Sequence, residues 1–195
     1  MKSRELAVIG AFEFIPDTFP DDRGLFVSPF QEAAFVRAVG HPLFPVAQTS
    51  HSVSRRGVLR GIHYTLAPPG TAKYVYCSRG RVRDFVVDLR TGSPTFGAWE
   101  EVALDAHALS ALYLPPGLGH AFLALEDDTV MNYLLSQRYQ AANELALAVG
   151  DPAIGLPVPG DAVLSERDRA APSLAAAPLP EYEACLDIEA AFGAA

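Results

Sequence analysis

Three basic side chains stand where composition alone would not put them. Arg60, His63 and Lys73 lie inside apolar, β-patterned stretches, Val58-Leu59-Arg60-Gly61-Ile62-His63-Tyr64 and Ala72-Lys73-Tyr74-Val75-Tyr76-Cys77. Cations buried without a partner are costly, so an anionic ligand or a carboxylate belongs beside them. A mouth lined by Arg, Lys, His and Tyr in a chain of formal net charge -8 is a local trap for an anionic small molecule. His63 also has a plainer reading, since a lone strand histidine is usually a hydrogen-bonded core residue. Its cationic neighbours favour instead an imidazole poised for proton transfer near neutral pH. Strict alternation would put Arg60 and His63 on opposite faces of their strand, whereas a bulge at Gly61 would bring both inward. Tyr133 reads as an amphipathic packing residue, or as a proton donor if it faces a substrate across from a base. Asp168, in Leu164-Ser165-Glu166-Arg167-Asp168-Arg169, is a solvated charge or a carboxylate that orients a histidine tautomer and raises its basicity.

The elements that must position these groups are short strands. Runs rich in β-branched and aromatic residues recur at Leu6–Ile9, Pro45–Thr49, Ala72–Cys77, Val82–Leu89, Ala111–Leu114, Ala121–Leu125 and Thr129–Leu135. The 16 prolines and 15 glycines fall between them, as at Thr91-Gly92-Ser93-Pro94, and this spacing predicts an all-β sandwich or barrel rather than a βαβ sheet. Gln31 to Val39, stopped by Gly40, predicts a short helix. Pro180 to Phe192 carries Tyr182, Cys185, Leu186 and Ile188 at helical spacing and predicts a C-terminal helix packed on the β body. Asp151 to Pro178 has no clean period and reads as an irregular wrap.

With 195 residues, 50% of them hydrophobic, the chain suits one domain, residues 1–195, with a real core, and is too apolar for a disordered class. The excess of 23 acidic over 15 basic residues argues against a protein that wraps nucleic acid. No stretch reaches the roughly 18 apolar residues a membrane helix needs, and Met1-Lys2-Ser3-Arg4-Glu5 does not read as a cleaved leader. The expected place of action is the cytoplasm. Cys77 and Cys185, with no CxxC, read as small buried hydrophobes and exclude a disulfide scaffold or a Cys zinc site.

Pro115-Pro116-Gly117-Leu118-Gly119-His120 fits a P-x-G-x-x-H pattern that aims a histidine into a barrel mouth, and with His63 it resembles the paired signatures of a cupin-type jelly roll. The histidine expected two positions after His63 is Thr65. His63 and His120 alone cannot fill a site needing three or four protein ligands, so the sequence argues for the barrel and against its metal.

Val58 to Tyr64 also resembles the V-L-R-G-L-H-Y segment of the dTDP-4-dehydrorhamnose 3,5-epimerases and related dTDP-4-keto-deoxysugar epimerases. The resemblance runs from Asp22-Arg23-Gly24 and Phe26 through Lys73, Asp84–Arg90, Ser93–Trp99, Leu114–Phe122 and Tyr133 to Asp151-Pro152 and Leu164–Asp168. It is similar throughout to epimerases of antibiotic deoxysugar pathways, some of which act at a single carbon. It implies a metal-free, cofactor-independent jelly-roll homodimer acting on a dTDP-4-keto-6-deoxyhexose, with the N-terminal strand crossing to the partner's sheet. Carried over residue by residue, it implies His63 as general base, Asp168 as its dyad partner, Lys73 as stabiliser of the enolate oxygen and Tyr133 as the acid on the opposite face. Arg60, Ser52, Gln48 and His120 would line the sugar-phosphate pocket, with Asp84 near His120 and with Arg23 and Phe26 approaching the nucleotide.

The chemistry is coherent. A C4 ketone acidifies C3–H and C5–H, a neutral imidazole is a suitable base, and the oxyanion needs a preorganised positive donor. The sequence departs from the family pattern at Ser50 and Thr65, beside the expected pocket, which leaves the choice between C3, C5 and both open, and at Ser28, which bears on the nucleotide contacts. A nucleotide-ketosugar 3,4-ketoisomerase and a non-catalytic sugar-binding cupin are the competing expectations.

Overall fold

The structure, a computed structural model, describes residues 1–194; Ala195, the last residue of the expected domain, lies outside them. Within the described residues the chain runs β1 (Lys2–Glu5), β2 (Phe12–Ile15), β3 (Thr18–Asp21), β4 (Gly24–Val27), α1 (Glu32–Val39), β5 (Gln48–Ser54), β6 (Leu59–Thr65) and β7 (Lys73–Arg79). It continues through β8 (Arg81–Asp88), β9 (Trp99–Asp105), β10 (Ala111–Leu114), β11 (Leu118–Ala124), β12 (Thr129–Leu135), β13 (Glu144–Ala146), α2 (Glu166–Arg169) and α3 (Tyr182–Phe192).

Two antiparallel sheets, in the orders β1-β2-β10-β7-β12-β5 and β13-β6-β11-β8-β9, face each other, and β3–β4 forms a separate ribbon. Apart from β1–β2 and β8–β9, neighbouring strands in both sheets are non-consecutive, which makes this a cupin-like jelly roll, the architecture the short strands and Pro/Gly turns predict. Alternation decides what fills it. Val75, Cys77 and Met131 from the first sheet meet Val82, Val86, Leu118 and Phe122 from the second in one buried cluster. Fully burying one such side chain contributes on the order of 1.5–3 kcal/mol. The opposite residues of β8 and β11, Phe85, Val87, Ala121 and Leu123, face outward and are covered by Leu147, Ile154 and Leu156 of the C-terminal wrap. Phe35 of α1 and Phe44 close the outer face of the first sheet over Phe14, Tyr74 and Tyr113.

The structure departs from the sequence reading at Leu6–Ile9, which is irregular although Leu6 and Val8 are buried. Side chains from elsewhere satisfy this backbone: Ala7 N–H donates to Glu100 and Ile9 N–H to Thr95 Oγ1, so no ladder is required. The apolar pattern reported burial, not strand. The irregular wrap holds one turn of helix, α2, that periodicity could not reveal in four residues.

Candidate active site

The site lies between the sheets at one end of the core, in a cavity of about 630 Å³ counting its open mouth. On the first sheet, alternation turns Gln48, Ser50 and Ser52 of β5 toward the same side as Tyr133 of β12, and Ser50 is the direct cross-strand partner of Tyr133. Lys73, at the start of β7, sits opposite Leu135. On the second sheet, His63 pairs with His120 and Arg60 pairs with Phe122. Gly61 and Ile62 therefore span a single residue of β11, Ala121, and this bulge brings Arg60 and His63 to the cavity together while Ile62 packs outward. Only glycine fits there. A Cβ on Gly61 would lie 2.4 Å from the His120 carbonyl oxygen, and its φ is +122°.

Each histidine holds one carboxylate. His63 Nε2 lies 2.7 Å from Asp168 Oδ1, and His120 Nε2 lies 2.9 and 2.8 Å from the two oxygens of Asp84. With Nε2–H donated to Asp168, the lone pair of His63 is on Nδ1. Asp84 is wholly buried; Asp168 is buried at the end of a surface turn. Burial alone would raise the Asp168 pKa, but hydrogen bonding and attraction from His63, with bonding from Ser165 and the Gly61 backbone, hold it below the ordinary carboxylate value.

Lys73 is buried, and its Nζ donates to the His63 carbonyl oxygen at 3.3 Å. Burial pushes its pKa down, opposed by the negative charges of Glu144 and Asp84 and reinforced by Arg167. Tyr133 presents its hydroxyl 3.4 Å from Ser52 Oγ and its ring edge-on to His120 at 6.2 Å. Burial raises its phenol pKa far above the usual tyrosine value, so it stays protonated. Imidazole, ammonium and phenol thus share one cavity, His63 from one sheet and Lys73 and Tyr133 from the other.

Of the residues singled out in the sequence, Gln48, Arg60, His63, Lys73, His120 and Tyr133 line this cavity. Ser52, Asp84 and Asp168 stand behind them, each bonded to a lining residue. Arg23 and Phe26 are not brought in by this chain. Both project from the exposed β3–β4 ribbon, and Arg23 pairs with Asp21. Thr65 is buried with its Oγ1 accepting the Thr71 N–H at 2.9 Å and does not line the cavity, whereas Ser50 does. Sequence reasoning missed Tyr139 and Glu144, which line the cavity, and Arg167, which lines the adjoining cleft with Arg60 and His63. Tyr139 lies in a polar loop with no periodic signal; Arg167 had one, its place beside Asp168. Among the described residues no three His, Cys, Asp or Glu side chains are grouped to hold a metal ion.

Residues 5–176 match the family model described as dTDP-4-dehydrorhamnose 3,5-epimerase. The chain is 47% identical over 189 residues to a dTDP-4-dehydrorhamnose 3,5-epimerase of Mycolicibacterium smegmatis, covering 95% of this chain and 94% of that protein. It superposes on the solved structure of the Mycobacterium tuberculosis rmlC epimerase with a TM-score of 0.93 at 42% identity, covering 98% of this chain and all of the other. ChmJ, a 3'-monoepimerase from Streptomyces bikiniensis crystallised with dTDP-quinovose, gives a TM-score of 0.91 at 46% identity over 97% of this chain and 98% of that one.

Proposed function

Since the chain belongs to the dTDP-4-dehydrorhamnose 3,5-epimerase family, we propose that it inverts C3, or C3 and C5, of a dTDP-4-keto-6-deoxyhexose through an enolate, in deoxysugar biosynthesis. It is an isomerase, and the residues of the cavity account for each step. His63 Nδ1 removes the proton next to the ketone, and Asp168 stabilises the imidazolium that forms. The electron pair moves onto the C4 oxygen, where Lys73 offers a buried positive charge. Tyr133, protonated and on the other sheet, returns a proton to the opposite face of the carbon, and Ser52 holds its hydroxyl. The ketone itself supplies the electron sink, so the sequence of steps calls on no cofactor. Arg60, beside Arg167, offers positive charge for the diphosphate.

The observation that carries this reading is the placement of His63 and Tyr133 on opposite sheets around one cavity. Inversion requires removal from one face and delivery to the other. The experiment is incubation of enzyme with dTDP-4-keto-6-deoxyglucose in deuterated water, followed by NMR. Deuterium at C3, or at C3 and C5, with inverted configuration is expected, and the exchanging positions fix the regiochemistry. An unlabelled sugar, or a ketone moved to C3, would overturn it.

Residues 1–195 act in this reading as one unit in the cytoplasm; no helix of the described residues is long and apolar enough to cross a membrane. Two copies pair, and the ribbon supports this: Phe19 is 59% and Phe26 67% exposed, with Leu25 beside them. Arg23 and Phe26 then serve the nucleotide of the neighbouring subunit. Light scattering tests the pairing, and a monomer at assay concentration with full activity would sink it.

A further inference from the structure

α2 is a single turn, yet it carries the carboxylate that faces His63. A four-residue helix has no cooperative stability of its own, so something must hold Asp168 in register. Three bonds tie the turn down. The Asp168 N–H donates to Ser165 Oγ at 3.1 Å, Arg167 Nη2 donates to the Glu144 carbonyl oxygen at 2.8 Å, and Arg169 Nη2 donates to the Leu164 carbonyl oxygen at 2.7 Å. Of these three only the first acts on Asp168 itself, whose carboxylate also takes bonding from the Gly61 backbone. Ser165 and Asp168 stand in the S-x-x-D spacing of a capping box, where the acidic side chain normally turns back to the backbone N–H of the cap residue. Here it turns instead to His63. Half of the reciprocal box has been diverted, and the remaining half is the serine hydroxyl.

We propose that Ser165 is a positioning residue for the reaction: by accepting the Asp168 N–H it fixes the backbone from which the carboxylate reaches His63, and so sets the 2.7 Å contact. This rests on the His63–Asp168 pair acting as the base assembly. The same hydroxyl contributes to holding the Asp168 carboxyl below its ordinary range. It does not line the cavity between the sheets; it lines the adjoining cleft beside Arg60, Arg167 and Asp168, so the kcat and KM effects of its loss must be read separately.

The test compares Ser165→Ala, Ser165→Gly, Ser165→Thr and Ser165→Asn with Asp168→Asn, reading kcat, KM, the pH profile and melting temperature. Loss of the hydroxyl is expected to lower kcat by about 10- to 100-fold, as for a modest misplacement of a catalytic group. KM should stay within about twofold if the hydroxyl acts on Asp168, whereas a raised KM with wild-type kcat overturns the proposal as the mark of a lost diphosphate contact in that cleft. The acid limb of kcat should shift to lower pH, in the same direction as in Asp168→Asn, since an imidazolium that loses its carboxylate is less stable. The other groups facing His63 are Arg60, Lys73, His120 with Asp84, Tyr133, Glu144 and Arg167, and none is altered. Thr and Asn, which cap, should restore both kcat and the limb. Gly keeps most of the energy of a helix end without a side chain, so it gives the readout should the Ala variant fail to fold. Wild-type kcat and limb in the Ala or Gly variant overturns the proposal while a dead Asp168→Asn leaves the pair standing. A lower melting temperature with an unmoved limb overturns it too, as the mark of a purely structural cap. A fully active Asp168→Asn removes the pair and the proposal together.

Discussion

His63 and His120 stand directly opposite each other on β6 and β11, yet their carboxylates come from different layers of the molecule. His120 takes Asp84 from the barrel itself, wholly enclosed. His63 takes Asp168 from the outer wrap, 105 residues along the chain. In the proposed reaction the second pair takes the proton, while the first fixes His120 in the cavity wall.

Asp168→Asn should therefore lower kcat by about 10²–10⁴-fold with little change in melting temperature, because it alters the base and not the core. Asp84→Asn should show the reverse emphasis, losing about 1.5–3 kcal/mol of stability in urea unfolding as His120 loses a charged acceptor. Equal kinetic losses with equal stability losses would contradict this division.

Tyr133→Phe separates removal of the proton from its return. His63 still forms the enolate, so deuterium should enter the recovered ketosugar with retained configuration. Net inversion should fall by about 10²–10⁴-fold. Inversion at the wild-type rate would show that another donor serves that face.

In the proposed reaction Lys73 must be charged to neutralise the C4 oxygen, and burial lowers its pKa from the ordinary 10.5. Activity should accordingly decline on the alkaline side below that value, as the cation loses its proton. Lys73→Met should cost about 10²–10³-fold in kcat at neutral pH. Lys73→Arg should abolish the alkaline limb, since a guanidinium stays charged there. A limb unchanged in the arginine variant would assign it to another group.

Away from the site, Arg90 and Asp88 form a buried bidentate pair that Ser93 and Thr95 complete. Burial would raise the Asp88 pKa, but these bonds outweigh it and hold it below the ordinary 3.8. Their contribution is full above that value and is lost as pH falls through the lowered one. Arg90→Met strands the carboxylate and should cost about 3–5 kcal/mol at neutral pH. The gap to wild type should narrow in acid, where the stranded group is neutralised. Urea unfolding at both pH values measures it.

Local chemistry was legible in the sequence wherever one strand or one turn contained it. Thr129–Leu135 is a strand to the residue, because alternation and β-branching are properties of the segment. The bulge at Gly61 was legible as a condition, since Arg60 and His63 share a face only if an extra residue is inserted between them. Leu6–Ile9 misled because apolar pattern reports burial, and a backbone satisfied by Glu100 and Thr95 needs no ladder.

The sequence by itself determined the barrel and the residue types able to do proton chemistry, while the inward polar row of Gln48, Ser50 and Ser52 on β5 emerged with the structure. No segment pattern says which groups meet: the family resemblance implied His63 with Asp168 and Asp84 near His120, and only the tertiary structure brings those pairs together, sets Tyr133 on the facing sheet and turns Thr65 out of the site. The reason is that hydrogen-bond partners 105 residues apart are selected by how two sheets and a covering wrap pack. No periodicity within a segment encodes that packing.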